Sequence, residues 1–234
     1  MYPFKKRKKR VFDFFELGFH GDKYLLELVN IIIPDCNYFM ETGTNVGSTL
    51  AYVGRNYDHV KCLSCEPDTE AFNNAIKNTS GLANISIYNE SSLEFILRIK
   101  LEYTHLFNKN VLFWLDSHGY GFKWPIKEEI SFITANFKSP YILIDDFKVP
   151  GLDCFGYDEY SGQECSFDYI KDALNPNLSL RLYYPIYTER TSRHHPLRGW
   201  GLIEFGHTSE LKIPDSLLDK IQYIDINNYS EKDR

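Results

Sequence analysis

The chain of 234 residues has room for one α/β domain with a proper core and too little for two full domains. With 32 acidic against 26 basic side chains its formal charge is −6, so no overall basic field draws it to nucleic acid, which is not an expected partner. Five cysteines, without the spacing of a small disulfide scaffold, point to a reducing, cytoplasmic setting; no apolar run has the length of a membrane span, and Val11–Phe19 is broken by Asp13 and Glu16, unlike a signal peptide.

Residues 1–21 are expected to form a basic N-terminal arm, and residues 22–234 a single domain. The arm carries Lys5-Lys6-Arg7-Lys8-Lys9-Arg10, a run suited to phosphate, an anionic membrane or nucleic acid, and equally readable as a solvated arm. Asp22 is placed to cap a helix over Lys23–Ile33, which stops before Pro34. A first strand, Tyr38–Glu41, leads to a helix over Ser48–Asn56. The second strand, Val60–Glu66, leads to a helix over Thr69–Asn78 capped by Asp68 or Thr69. Ile85–Tyr88 reads as the third strand, followed by Asn89-Glu90-Ser91-Ser92 and a helix through Leu93–Ile99.

The fourth strand is the apolar run Val111–Leu115. Pro125 opens a helix over Ile126–Asn136, with Glu128 and Glu129 in its early turns, where the helix dipole favours acids. Tyr141–Ile144 is the fifth strand. Strands one, four and five are nearly continuous apolar runs, as a parallel sheet covered on both faces requires. Beyond them Val149–Gln163, rich in Gly, Asp and Tyr, reads as an irregular active-site loop. A helix, Ser166–Leu174, and two strands, Leu180–Tyr187 and Gly201–Phe205, follow, the strands joined by the polar, basic connection Thr188–Arg198. Cys62 and Cys65 form C-x-x-C within a strand and have no second pair, so they read as core residues.

The chain is organised around Tyr38–Asp68. The first strand ends in Glu41 and enters Thr42-Gly43-Thr44-Asn45-Val46-Gly47-Ser48; the second ends in Glu66. Gly43 and Gly47 let the backbone turn tightly and approach a ligand, and Glu66 stands where a carboxylate can accept both hydroxyls of a ribose. A dinucleotide loop wants G-x-G-x-x-G. The pattern here is Glu41-x-Gly43-x-x-x-Gly47, with one glycine fewer and a carboxylate before the turn. A Gly-rich turn without a ligand is the plain alternative.

This stretch resembles motif I of the class I S-adenosylmethionine-dependent methyltransferases, and the closing strand pair resembles that family's antiparallel seventh strand. The resemblance implies an α/β, Rossmann-like three-layer sandwich: a mostly parallel seven-stranded sheet with an antiparallel last strand. It implies S-adenosyl-L-methionine as cofactor, held by residues drawn from Glu41, Thr42, Gly43, Thr44, Gly47, Ser48, Glu66, Glu90, Ser91 and Asp116.

Ligands of open α/β sheets bind beyond the carboxyl ends of the strands. Glu41, Glu66, Glu90-Ser91, Asp116-Ser117-His118 and Asp145-Asp146 each follow a strand, so all are expected at one edge. Asp116, Asp145 and Asp146 repel one another unless protonated or neutralised, and Mg²⁺ is a natural counter-charge for oxygen ligands. The arrangement is similar to the metal-dependent sugar O-methyltransferases of the macrocin type, in which an Asp after strand four and an Asp-Asp pair after strand five bind the metal. Leu115-Asp116-Ser117-His118 and Ile142-Leu143-Ile144-Asp145-Asp146 match those positions. Where that family carries a second Asp as general base, this chain has His118. The resemblance therefore implies Asp116 and His118 as catalytic residues and Asp116, Asp145 and Asp146 as metal ligands.

The reaction implied is methyl transfer to a hydroxyl of a sugar or glycoconjugate, with a small molecule or glycan as acceptor. His194, His195, Arg190, Arg193 and Arg198 form a basic loop suited to an acidic substrate or to solvent. Tyr157 and Tyr160, with Asp153 and Asp158, are candidates for a sugar pocket. The rivals are a metal-independent methyltransferase, a nicotinamide oxidoreductase, an RNA methyltransferase using the basic arm, and a cofactor-binding protein without turnover. A homo-oligomer is left open.

Overall fold

The computed structural model describes residues 14–117, 124–193, 195–207 and 210–226, with the backbone alone for 14–17. The Lys5–Arg10 run, His118 and His194 lie outside the described residues.

The expected alternation of strands and helices is present. Helix α1 (Lys23–Ile32) starts at Asp22, whose carboxylate accepts from the Tyr24 and Leu25 amides and so satisfies donors that a helix start leaves unpaired. Next come β1 (Tyr38–Thr42), α2 (Ser48–Asn56), β2 (Lys61–Cys65), α3 (Thr69–Asn78), β3 (Ile85–Tyr88) and α4 (Ser92–Glu102). The second half holds β4 (Val111–Leu115), α5 (Ile126–Asn136), β5 (Tyr141–Asp145), the short hairpin β6 (Glu159–Tyr160) and β7 (Gln163–Glu164), α6 (Phe167–Ile170), β8 (Leu180–Pro185), β9 (Trp200–Phe205) and β10 (Ile221–Asp225).

The main sheet has eight strands in the order β10-β8-β9-β5-β4-β1-β2-β3. Strands β1 to β5 run parallel. Strand β9 is antiparallel to both β5 and β8. The order reverses beside β1, between β2 and β4, which opens the crevice where ligands of such sheets bind. The expectation of seven strands is corrected by one: β10 adds an antiparallel edge to β8. Its segment, Ile-Gln-Tyr-Ile-Asp, is short and half solvated, with Tyr223 exposed, so it lacks the apolar run that marks the inner strands.

Two cores lie on opposite faces of the sheet. In β4, Val111, Phe113 and Leu115 enter one, and Leu112 and Trp114 enter the other, which is why that strand reads as continuously apolar. Cys62 and Cys65 divide in the same way. Both thiols are free and buried, and burial pushes both pKa values up.

Three local expectations are revised. The loop after β5 contains the β6–β7 hairpin. The helix expected over Ser166–Leu174 is one turn, α6, continued by a 3-10 turn over Lys171–Ala173. Within the segment assigned to the arm, Phe14–Gly21 forms tight turns broken by a kink at Gly18, Phe19 and His20, and Phe19 is fully buried. Its ring meets Trp114 edge-on at 5.0 Å, and its amide donates to Thr49 Oγ1 at 3.2 Å. Residues 18–21 therefore pack on the domain. Among the described residues no helix is long and apolar enough to cross a membrane.

Candidate active site

A cavity of about 620 Å³ opens at the carboxyl edge of β1, β2 and β4. Gly43, with φ +83°, enters the turn after β1 so closely that a Cβ there would lie 2.2 Å from the Asp116 carbonyl oxygen. Asn45 follows in the left-handed region at φ 49°, a conformation that asparagine tolerates better than most residues. This bend aims the Asn45 amide at Glu66 Oε2, 2.7 Å away, while the Asp68 amide donates to Glu66 Oε1 at 3.0 Å. Two backbone donors thus fix the carboxylate in the cavity wall.

Asp116 and Ser117 line this cavity and also a small recess formed with Asp145, Asp146 and Asp158. Asp145 is buried at the end of β5, and His20 Nε2 lies 2.7 Å from its Oδ2. Asp146, with φ 48°, is paired with Arg198, whose Nε lies 2.8 Å from Oδ1 and whose Nη2 donates to Oδ2 at 3.0 Å. Burial opposes the imidazolium charge of His20, but Asp145 outweighs it and raises the pKa to about 9. Burial likewise opposes the Asp145 charge, yet His20 outweighs it and holds the carboxyl below its ordinary range. Asp146 is pushed up to about 8 by burial and by the Asp145 charge, against the pull of Arg198. The recess thus concentrates like charge and supplies its own partial compensation.

The candidates from sequence separate into three groups. Gly43, Glu66, Ser91 and Asp116 line the cavity. Glu41, Thr42 and Thr44 are buried behind it: Ser64 Oγ donates to Glu41 Oε2 at 2.8 Å, and Thr44 Oγ1 donates to the Cys65 carbonyl at 3.0 Å. Gly47 and Ser48 build the start of α2, with Gly47 packed on Ala75 of α3. Glu90 is turned away, bound by Arg98 through Nε at 2.9 Å and Nη2 at 2.8 Å. Asp145 and Asp146 meet in the recess with Asp116 at its wall.

In the basic loop, Arg190 donates to the carbonyls of Ser192 and Arg193, Arg198 holds Asp146, and the His195 ring lies 5.1 Å from that of His20. Tyr157 donates to Glu164 at 3.0 Å. Tyr160 lies edge-on to Trp124, a cavity residue, at 4.9 Å, and Asp158 reaches the recess.

Sequence reasoning missed His20, Glu129 and Asn45. Glu129 is fully buried on α5 and accepts from Ser117 Oγ at 2.9 Å, so it holds the turn after β4; burial pushes its carboxyl pKa up. Its signal was present, since Glu129 shares a helical face with Ile126, Ile130 and Ile133. For His20 no local pattern exists.

No family model and no curated protein matches the chain. Solved structures share its fold. An O-methyltransferase from Bacillus cereus, in complex with S-adenosylhomocysteine, aligns with a TM-score of 0.56 at 13% identity over 78% of this chain and 80% of its own. TomG from Streptomyces achromogenes, an O-methyltransferase of tomaymycin synthesis solved with S-adenosylmethionine, gives 0.56 at 12% over 79% and 80%. An rRNA methylase from Streptococcus thermophilus gives 0.50 at 13% over 78% and 97%. At these identities the likeness establishes the fold alone, which this chain shares with those structures.

Proposed function

We propose that the chain transfers a methyl group from S-adenosylmethionine to a hydroxyl of a small molecule, a sugar or glycoconjugate, with the assistance of a divalent cation. The observation that carries this reading is the shared wall. Asp116 and Ser117 face the cofactor-sized cavity on one side and the acid recess on the other, so a bound cofactor and an acceptor held at the acids would adjoin.

The residues suit both groups. Glu66, held at both oxygens by backbone amides, keeps lone pairs for ribose hydroxyls, and Gly43, Ser91 and Asp116 supply cavity wall. Ligand atoms of Asp145 and Asp146 lie within 4.8 Å of each other, and Asp116 joins them in the recess; these would hold the cation. When bound, S-adenosylmethionine supplies an electrophilic methyl on a sulfonium, and a divalent ion lowers the pKa of a coordinated hydroxyl. His118, which directly follows Ser117, would take the acceptor proton as the hydroxyl is methylated. Such a base contributes about 10²–10⁴-fold. Glu129 keeps Ser117 and its turn in place for that transfer. The setting we assign is cytoplasmic.

The experiment is incubation with methyl-labelled S-adenosylmethionine and a panel of sugars and glycoconjugates, with and without a chelator. Label in an ether of one acceptor, lost on chelation and restored by a divalent salt, is the expected result. Label in no acceptor despite cofactor binding would remove the reaction.

A further inference from the structure

Beside the expected carboxylates stands an imidazole, that of His20, which meets Asp145 Oδ2 at 2.7 Å. A ring nitrogen of His20 and one carboxylate oxygen from each of Asp145 and Asp146 all lie within 4.8 Å of one another. These groups come from distant parts of the chain, 125 positions apart for His20 and Asp145, so local sequence does not force their meeting. Both sides reach it through costly backbone. Phe19 and His20 have φ of 50° and 56°, and Asp146 has 48°. For residues other than glycine this region costs of order 1–3 kcal/mol each, and it persists only where the surroundings hold it. Here Phe19 anchors one side in the core and Arg198 holds the other.

We propose that His20 is the nitrogen ligand of a divalent-metal centre completed by Asp145 and Asp146, and that this centre prefers first-row transition ions to Mg²⁺; Mn²⁺, the weakest binder of that row, is the paramagnetic probe of the preference. Imidazole suits transition ions, whereas Mg²⁺ favours carboxylate, carbonyl and water oxygens. Arg198 does not exhaust Asp146, because an ionised carboxylate offers about four lone-pair sites. Hydrogen bonds of this kind commonly orient ligating carboxylates. The inference rests on the cation-assisted half of the proposed function and is independent of methyl transfer.

The test is Mn²⁺ titration of the full chain followed by electron paramagnetic resonance, with pulsed spectra to detect nitrogen coupled to the bound ion. The expected result is saturable Mn²⁺ binding with the coupling of a coordinated imidazole, and displacement by Mg²⁺ only at about tenfold or greater excess. In His20→Gln the coupling disappears and Mn²⁺ affinity falls by about tenfold or more, while His59→Gln, at an exposed site, changes neither. Should His20→Gln fail to fold, the unaltered protein still decides, since its own spectrum either carries the coupling or does not. Bound Mn²⁺ without nitrogen coupling overturns the proposal, as does no Mn²⁺ binding or equal competition by Mg²⁺. S-adenosylhomocysteine binding, measured in the same samples, reports separately on the methyltransferase reading.

Discussion

Gly43 and Asp116 meet backbone to backbone: the space where a Gly43 Cβ would stand is filled by the Asp116 carbonyl oxygen, 2.2 Å from it. The two turns that form the cavity floor, after β1 and after β4, are thereby locked together. A further bond, from the Asp116 amide to the Thr42 carbonyl at 3.0 Å, holds the same contact.

Gly43→Ala therefore separates those turns and adds the strain of a side chain at φ +83°. A loss of about 1–3 kcal/mol in stability is expected, with S-adenosylhomocysteine affinity reduced by about tenfold or more. Denaturant melts and calorimetric titration measure both. Equal stability and affinity in the variant would show that the floor does not depend on this contact.

Phe19→Ala tests whether residues 18–21 belong to the domain. The ring is fully buried among Phe39, Tyr52 and Trp114, and emptying such a site costs about 3–5 kcal/mol. Chemical denaturation should show that loss. A change too small to measure is what a solvated arm would give.

Glu41 supplies a pH dependence. It is fully buried, and burial holds its carboxyl pKa well above the usual 4.5, with Asp116 and Glu66 adding to the rise against the Ser64 hydrogen bond. The folded chain then keeps a proton that the unfolded chain releases, so this group's contribution to stability declines as pH rises from about 5. Glu41→Gln removes the slope. The difference in unfolding free energy between variant and parent should shift in the variant's favour from pH 5 to pH 8; a difference that stays constant over that range contradicts the assignment.

The fold was legible where physics leaves a local mark. Val111–Leu115 is apolar at every position because both faces of β4 are covered, and Asp22 announces α1 because a cap is a local hydrogen-bonding need. Strand β10 was not legible, because an outer strand with Gln222 and Tyr223 exposed has no such run. Of the carboxylates that follow strands, Glu66 and Asp116 line the cavity, and Asp116, Asp145 and Asp146 line the recess. Glu90 also follows a strand, and its side chain is paired with Arg98 of α4. His20 was hidden, since its position follows from a left-handed turn and a contact remote in sequence.

The proposed function requires that the cavity beside Glu66 take an S-adenosyl compound. Isothermal titration of the protein with S-adenosylhomocysteine tests it most directly, with Glu66→Ala beside it. Binding in the micromolar range by the parent, weakened by about a hundredfold in the variant as expected when hydrogen bonds to a charged group are lost, is the predicted result. No binding by a folded parent protein, or equal binding by the variant, would contradict it.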